Sequence, residues 1–248
     1  MNRQLPVFVI SLVSSEKRRK SSTELLLSQG ISFEFIDAID GRKDRHPLLD
    51  RFRPDKFLVR HGRPSAPGEA GCYASHFLAW QKCVELNCPI IVFEDDFAVR
   101  DHIYDIFSFL PDLMSYYPFI RLEDNDPVLH KKIKQFGDYT LVRFLRIPQR
   151  ATCYAISPFA AAAFIKASKE FVYPVDVFVR HQNIHKIPIY GLLPYPVYPA
   201  DPSGNYSEIG NRHKDKGPLW CKLTRLFFKL KNITLNVITN IRHSLNGL

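Results

Sequence analysis

Residues 90–96 read Ile-Ile-Val-Phe-Glu-Asp-Asp, an apolar run that ends in three consecutive carboxylates. Adjacent acids repel one another and raise one another's pKa unless a cation relieves them. Carboxylate oxygens are hard ligands for Mn2+ or Mg2+, and such a metal typically takes one or two of them together with the phosphates of a substrate. Glu94, Asp95 and Asp96 are therefore candidate metal ligands. Alternation along a strand puts Glu94 and Asp96 on one face and Asp95 on the other, so the three cannot bind equivalently unless the strand has ended. Asp96 is the preferred ligand, and Glu94 can instead point back into the fold. The competing reading is an acidic surface turn without chemistry.

The elements that must hold these acids can be read around them. The run before the acids is β-branched and aromatic and is bounded by Pro89, which predicts a buried strand emerging at the carboxyl edge of a sheet. Open α/β sheets bind ligands at that edge. Residues 7–12 predict a first strand, Ser14-Ser15-Glu16 can cap a helix reaching about Gly30, and residues 31–36 predict a second strand running into Asp37-Ala38-Ile39-Asp40-Gly41. This opening is a β-α-β unit. Residues 42–68 carry eight Lys or Arg against three Asp with weak periodicity, and read as a long basic loop. Tyr73, Phe77, Trp80, Cys83 and Val84 recur at helical spacing and predict a helix from Gly68 to Asn87. His76 shares that face, so its default role is a satisfied, partly buried histidine. Further on, the pattern predicts a helix from Asp101 to Met114, strands at 119–122, 140–145 and 151–156, and an alanine-rich helix from Pro158 to near Phe171. Residues 187–198 look strand-like but hold three prolines, which predicts an edge strand.

Composition bounds the alternatives. A chain of 248 residues with 46% hydrophobic content can form one large domain with a real core. It has no run of 18 apolar residues, and its N-terminal residues lack a small-residue cleavage site, so the expected location is cytoplasmic. Five cysteines without CxxC spacing argue against a disulfide framework and against a zinc site. The net charge of +9 is concentrated after residue 211, where eight Lys or Arg face one Asp. There, cations alternate with Trp, Phe and Leu, a pattern suited to an amphipathic helix on an anionic bilayer. A helix packed on the domain with a solvated basic face fits the same pattern. The expected division is a domain over 1–210 and a basic amphipathic tail over 211–248. A non-enzymatic basic protein binding membrane or nucleic acid is the alternative, but no recognised nucleic-acid motif is present and nucleic acid is not expected as a partner. A two-metal phosphodiesterase would recruit acids from several strand ends, whereas here the clear cluster is a single run.

Several blocks together resemble glycosyltransferase family 25, which includes bacterial lipooligosaccharide galactosyltransferases and collagen galactosyltransferases. They are Val9-Ile10-Ser11-Leu12; Glu16 and Arg18-Arg19; Phe35-Ile36-Asp37-Ala38-Ile39-Asp40-Gly41; Gly68-Glu69-Ala70-Gly71-Cys72 with Ser75-His76 and Trp80; and Phe93-Glu94-Asp95-Asp96. A weaker set extends the likeness through Thr152-Cys153-Tyr154-Ala155-Ile156-Ser157 and Pro174-Val175-Asp176 to Ser207-Glu208-Ile209-Gly210. The tail beyond 213 lies outside it. The resemblance implies an α/β fold, GT-A-like, with a Rossmann-related, mostly parallel sheet flanked by helices. It implies a UDP-sugar donor held against Ser11, Leu12, Arg18, Asp37, Glu69, Ser75, His76 and Asp95, with Mn2+ or Mg2+ on the diphosphate. It also implies inverting transfer, commonly of galactose, to a hydroxyl of an acceptor glycan. The basic stretches at 42–63 and 212–231 suit an anionic, membrane-held acceptor such as a lipooligosaccharide core, or the inner face of the bacterial inner membrane itself.

Single displacement requires a base for the acceptor hydroxyl. Asp176 is the candidate, because its apolar neighbours would desolvate it and raise its pKa. It could equally cap a short helix. Asp124 and Asp126 are rivals. The GT-A resemblance also implies a further metal ligand late in the chain; His181, His185, Asp201 and His213 are all available, and their spacing selects none of them.

Overall fold

The computed structural model describes residues 4–100, 103–124, 128–200 and 218–245. The opening unit forms as expected. Strand β1 (Val7–Ser11) is buried along its whole length, helix α1 (Glu16–Ser28) follows, and β2 (Glu34–Asp37) returns parallel to β1. A strand buried on both faces needs apolar side chains on both, which is why residues 7–10 show no polar alternation.

Residues 42–68 are not a bare loop. They contain a 3-10 turn (Pro47–Arg51) and helix α2 (Pro54–His61), each opened by a proline at its first position. At eight residues, α2 is too short to impose a visible period, and it buries only Phe57. Gly62, at φ 80°, ends it in the left-handed conformation. Helix α3 (Glu69–Leu86) then lays Tyr73, Phe77, Trp80 and Cys83 on the sheet, while Val84 faces outward. It leads through Asn87 to β3 (Ile90–Glu94), which pairs parallel with the other side of β1.

The remainder supplies β4 (Phe97–Val99), α4 (Ile103–Met114), β5 (Phe119–Arg121), β6 (His130–Phe136), β7 (Tyr139–Phe144), β8 (Cys153–Ile156), α5 (Pro158–Ala167), α6 (Val175–Arg180), α7 (Gln182–His185), β9 (Tyr190–Leu193), β10 (Val197–Pro199) and α8 (Leu219–Leu245). Asp101, the expected cap of the fourth helix, lies outside the described residues. Eight strands form one sheet in the order β2-β1-β3-β8-β5-β9-β7-β6, and β4 pairs with β10 in a small antiparallel ribbon. Parallel pairing is found at β2-β1-β3, where the site lies, and at β5-β9, while the other neighbours run antiparallel. One core, with α3, α5 and α6, fills one face of the sheet, and a second, with α1 and α4, fills the other.

Two strands depart from expectation. β9 is internal, between β5 and β7, rather than at an edge. Its prolines lie just outside it, Pro188 before and Pro194 and Pro196 after, so no ladder hydrogen bond is lost. Gly191 is required there, because a Cβ would lie 2.4 Å from the Phe144 ring. The edge on that side of the sheet is the lysine-rich, mostly exposed β6, whose charges discourage pairing with another chain.

Helix α8 packs on α2 and α7 with its polar face inward. Asn232, Thr239, Asn240 and His243 are buried, while Leu223, Phe227, Leu230 and Ile241 are exposed. The Asn232 side chain donates to the Tyr173 hydroxyl (3.1 Å), that of Asn236 to the Arg180 carbonyl (3.2 Å), and that of Asn240 to the Leu145 carbonyl (3.0 Å).

Candidate active site

The parallel register sets Ile10 opposite Glu94, so the ends of β1 and β3 release their next residues side by side. Ser11 Oγ donates to Asp95 Oδ2 at 2.6 Å, and Arg18, from the first turn of α1, donates to Asp95 Oδ1 at 2.9 Å. Both oxygens of Asp95 are thus engaged by the protein. The same guanidinium stands 3.9 Å from Asp96 Oδ2. The Asp96 side chain reaches solvent but sits in a concavity walled by protein. Burial there, reinforced by the charge of Glu94, pushes its carboxyl up to about 7, with Arg18 pulling the other way.

Glu94 turns into the fold. Its Oε1 lies 3.0 Å from His76 Nε2, and Cys72 Sγ is 3.9 Å away. Behind His76, Nδ1 meets the Tyr154 hydroxyl at 2.9 Å, and that oxygen also accepts from Trp80 Nε1 at 3.1 Å. In the tautomer that pairs every group of this chain, the indole donates to Tyr154, imidazole Nε2 donates to Glu94, and the Tyr154 proton turns to His76 Nδ1. Burial holds the Tyr154 hydroxyl far above its usual pKa, so this proton stays in place. Among the described residues, the metal-capable atoms that converge within 4.8 Å are those of Cys72, His76 and Glu94.

All three acids line a cleft of about 640 Å³ together with Ser11, Leu12 and Arg18 from the β1–α1 end and Ser75 and His76 from α3. Its other wall is the β2 exit, residues 38–42. Arg42 clamps Asp40 at 2.7 and 2.9 Å, and these hydrogen bonds hold the Asp40 carboxyl below the usual range. Ser75 Oγ donates to the Gly71 carbonyl and accepts from Ile39 N, tying α3 to that wall. The approach is closer still at two glycines: a Cβ on Gly71 would lie 2.3 Å from the Ile39 carbonyl, and one on Gly41 would lie 2.8 Å from Gly71 N. Asp37 is not in the cleft. It is exposed and paired with Arg19, which also donates to the Ser11 and Leu12 carbonyls and so braces the end of β1.

A second cleft of about 490 Å³ shares Cys72 and Glu94 with the first and is otherwise lined by Glu69, residues 150–152 and residues 174–176. Glu69, expected at the donor, belongs here, and its carboxylate is held by Arg63 at 2.7 and 2.8 Å and by Ala66 N. Asp176 also lines this cleft. It lies inside the first turn of α6, after Pro174 at the cap position, and accepts from Gln149 Nε2 at 2.9 Å. It is half-buried rather than enclosed by its apolar neighbours. The loop beside it is pinned from below, where Arg121 donates to Glu123 and to the carbonyls of Pro148 and Arg150. Burial raises the pKa of Glu123, and Arg121 opposes the shift. The Asp124 carbonyl accepts from Arg150 at 3.3 Å.

His181 and His185 line neither cleft. His185 Nε2 donates to the Val179 carbonyl and Nδ1 accepts from Ile187 N, so both ring nitrogens serve the fold. Asp126, Asp201, His213 and residues 207–210 lie outside the described residues. Sequence reasoning did not single out Arg42, Cys72, Tyr154 or the Arg121–Glu123 pair as site residues. Tyr154 and Cys72 stand inside the blocks that carry the family resemblance, which was the one signal available for them.

The chain is similar to several known proteins. The lipooligosaccharide biosynthesis protein lic2B of Haemophilus influenzae is 38% identical over 96 residues, 38% of this chain and 35% of that protein. Procollagen galactosyltransferase 1-A of Xenopus laevis is 33% identical over 103 residues, 40% of this chain and 16% of that protein. A Rattus norvegicus relative described as a probable inactive glycosyltransferase 25 family member 3 is 34% identical over 101 residues, 39% of this chain and 18% of that protein. The chain therefore spans about a third of the bacterial relative and under a fifth of the animal ones. The model of glycosyltransferase family 25 (LPS biosynthesis protein) matches residues 4–179, well over half of the chain and every strand and helix that builds the two clefts, and to that family the chain belongs.

Proposed function

We propose that the chain transfers a sugar, with galactose as the first candidate, from a UDP-sugar to a hydroxyl of a lipooligosaccharide core acceptor, with inversion. The observation that carries this reading is the meeting of two clefts at Cys72 and Glu94: one carries cations and crowded acids, and the other contains a carboxylate, Asp176. Leaving-group departure puts negative charge on a diphosphate. Arg18 and Arg42 line the first cleft and would attract that charge. Burial and then the charge of Glu94 raise the Asp96 carboxyl, and a divalent cation there would favour its ionised form. Asp96 would hold Mn2+ or Mg2+, with Asp95 beside it bridging to Arg18 and Ser11, and the metal would supply Lewis-acid stabilisation of the departing diphosphate. Asp176, oriented by Gln149, would take the acceptor proton in the second cleft. The names of the bacterial and amphibian relatives favour a lipooligosaccharide acceptor and galactose, respectively.

The test is a panel of UDP-sugars, with and without Mn2+, read by thermal protection and by hydrolysis or transfer. UDP-galactose should protect most. Asp96→Ala should abolish metal-dependent turnover while the protein stays folded, and Asp176→Asn should lower kcat by about 10²- to 10⁴-fold with donor protection retained. Folded protein that responds to no UDP-sugar in the presence of metal would end this reading.

A further inference from the structure

Helix α8 is amphipathic in the reverse of the usual sense. At about 100° per residue, Cys221, Phe228, Asn232, Thr239 and His243 share the face that meets the domain, whereas Trp220, Leu223, Phe227, Leu230, Ile241 and Leu245 share the opposite face and are exposed. Trp220 is 52% exposed, Phe227 62% and Leu245 81%. Twenty-seven residues make this an apolar strip about 40 Å long. Soluble monomers rarely expose contiguous apolar patches beyond a few hundred Å². Asn232, Asn236 and Asn240 on the inner face already hydrogen-bond to the domain, so the strip is not a core face awaiting a small rotation.

Charge identifies the occupant. α8 contains no Asp or Glu, and four of its five Lys and Arg fall along the two borders of the strip, Lys222 and Lys229 on one side and Lys231 and Arg242 on the other, while Arg225 lies against Gly62 on the domain side. A straight apolar strip with a cationic hem on both sides and a tryptophan at one end matches a helix lying in the headgroup region of an anionic bilayer, its lysine stems reaching outward. It does not match a span, because no helix among the described residues is long and apolar enough to cross a membrane. We propose that α8 seats the folded domain on an anionic lipid surface through its outward apolar face. This inference is independent of the transfer reading, because no residue of α8 lines either cleft.

The full chain is mixed with phosphatidylcholine vesicles that contain or lack phosphatidylglycerol and followed by flotation and tryptophan emission. Trp80 is fully buried, so the change reports Trp220. The expected result is flotation with the anionic vesicles only, a blue shift, and quenching by brominated acyl chains. The double variant Leu223→Asp, Phe227→Asp should lower partitioning by more than about 100-fold. Lys222→Gln with Lys229→Gln should lower it roughly thirty-fold on anionic vesicles. Both variants should keep the wild-type circular dichroism, since none of these side chains packs on the domain. Absence of flotation and of quenching in the wild type overturns the proposal, as does a lipid-free dimer that buries Trp220 and is dispersed by the same Asp substitutions. If the Asp variants fail to fold, bromolipid quenching in the wild type decides alone.

Discussion

The Tyr154 hydroxyl fixes the proton on His76 and, through it, the direction of Glu94. Tyr154→Phe removes the acceptor of the Trp80 N–H and the donor to His76 Nδ1, both buried. We expect a loss of about 1–3 kcal/mol in stability, read by urea denaturation, and a fall in kcat larger than any change in donor affinity, because Glu94 then loses its fixed orientation between the clefts. A wild-type kcat would separate the hydrogen-bond chain from catalysis. His185 offers a pH test. Burial lowers its pKa to about 3, so its neutral form contributes stability that is full above the unfolded value near 6.5 and is lost as pH falls toward 3. An NMR titration of the ring should show it uncharged at pH 5, and protonation near 6.5 would mean that the packing around it is wrong. At this scale the acid run was legible because three adjacent carboxylates are locally unusual. The partner of Glu94 was not, because it depends on how α3 lies over β3, a relation between residues 18 positions apart with no local trace.

Elements meet through the smallest side chains. The first turn of α3 lies on the β2 exit only because Gly41 and Gly71 lack Cβ atoms, and that contact forms the back of the first cleft. Gly71→Ala places a carbon 2.3 Å from a backbone carbonyl that has no flexible end to give way. It should cost about 1–3 kcal/mol and displace Ser75 from Ile39, read as a lower melting temperature and a weaker UDP-sugar protection than in a Gly30→Ala control, where no atom lies within 4 Å and only the backbone is strained. The β-α-β opening and α3 were legible because their periods are long or unbroken. β9 was misplaced because prolines flanking a strand look, in sequence, like prolines within it. β6 was missed because its edge position allows charged residues throughout, and α2 because eight residues cannot declare a period.

For the whole molecule, the tail divides charge from chemistry: both clefts are built before residue 201, while a large share of the excess positive charge lies after 211. Because α8 rests on the domain through amides and hydroxyls rather than through a wide apolar seam, its removal exposes groups that water can satisfy. Deleting residues 218–248 should therefore lower the melting temperature by only a few degrees and leave UDP-sugar protection intact. Collapse of the fold would show that α8 belongs to the core. The amphipathic pattern of the tail was legible, but not which face would turn inward, since the usual preference for buried apolar surface points to the face that the structure leaves outside. That inversion has a consequence for alignment. Asn232, Asn236 and Asn240 repeat every four residues, so sliding α8 by four residues, about 6 Å, with a rotation of about 40°, would bring one asparagine to the seat of the next. The ladder alone is degenerate. What selects a single setting lies near the two ends: the Arg225 stem fills the space left by the missing Cβ of Gly62, and Arg143 holds Ser244. Those two contacts act as the stops of a ratchet whose teeth are otherwise alike.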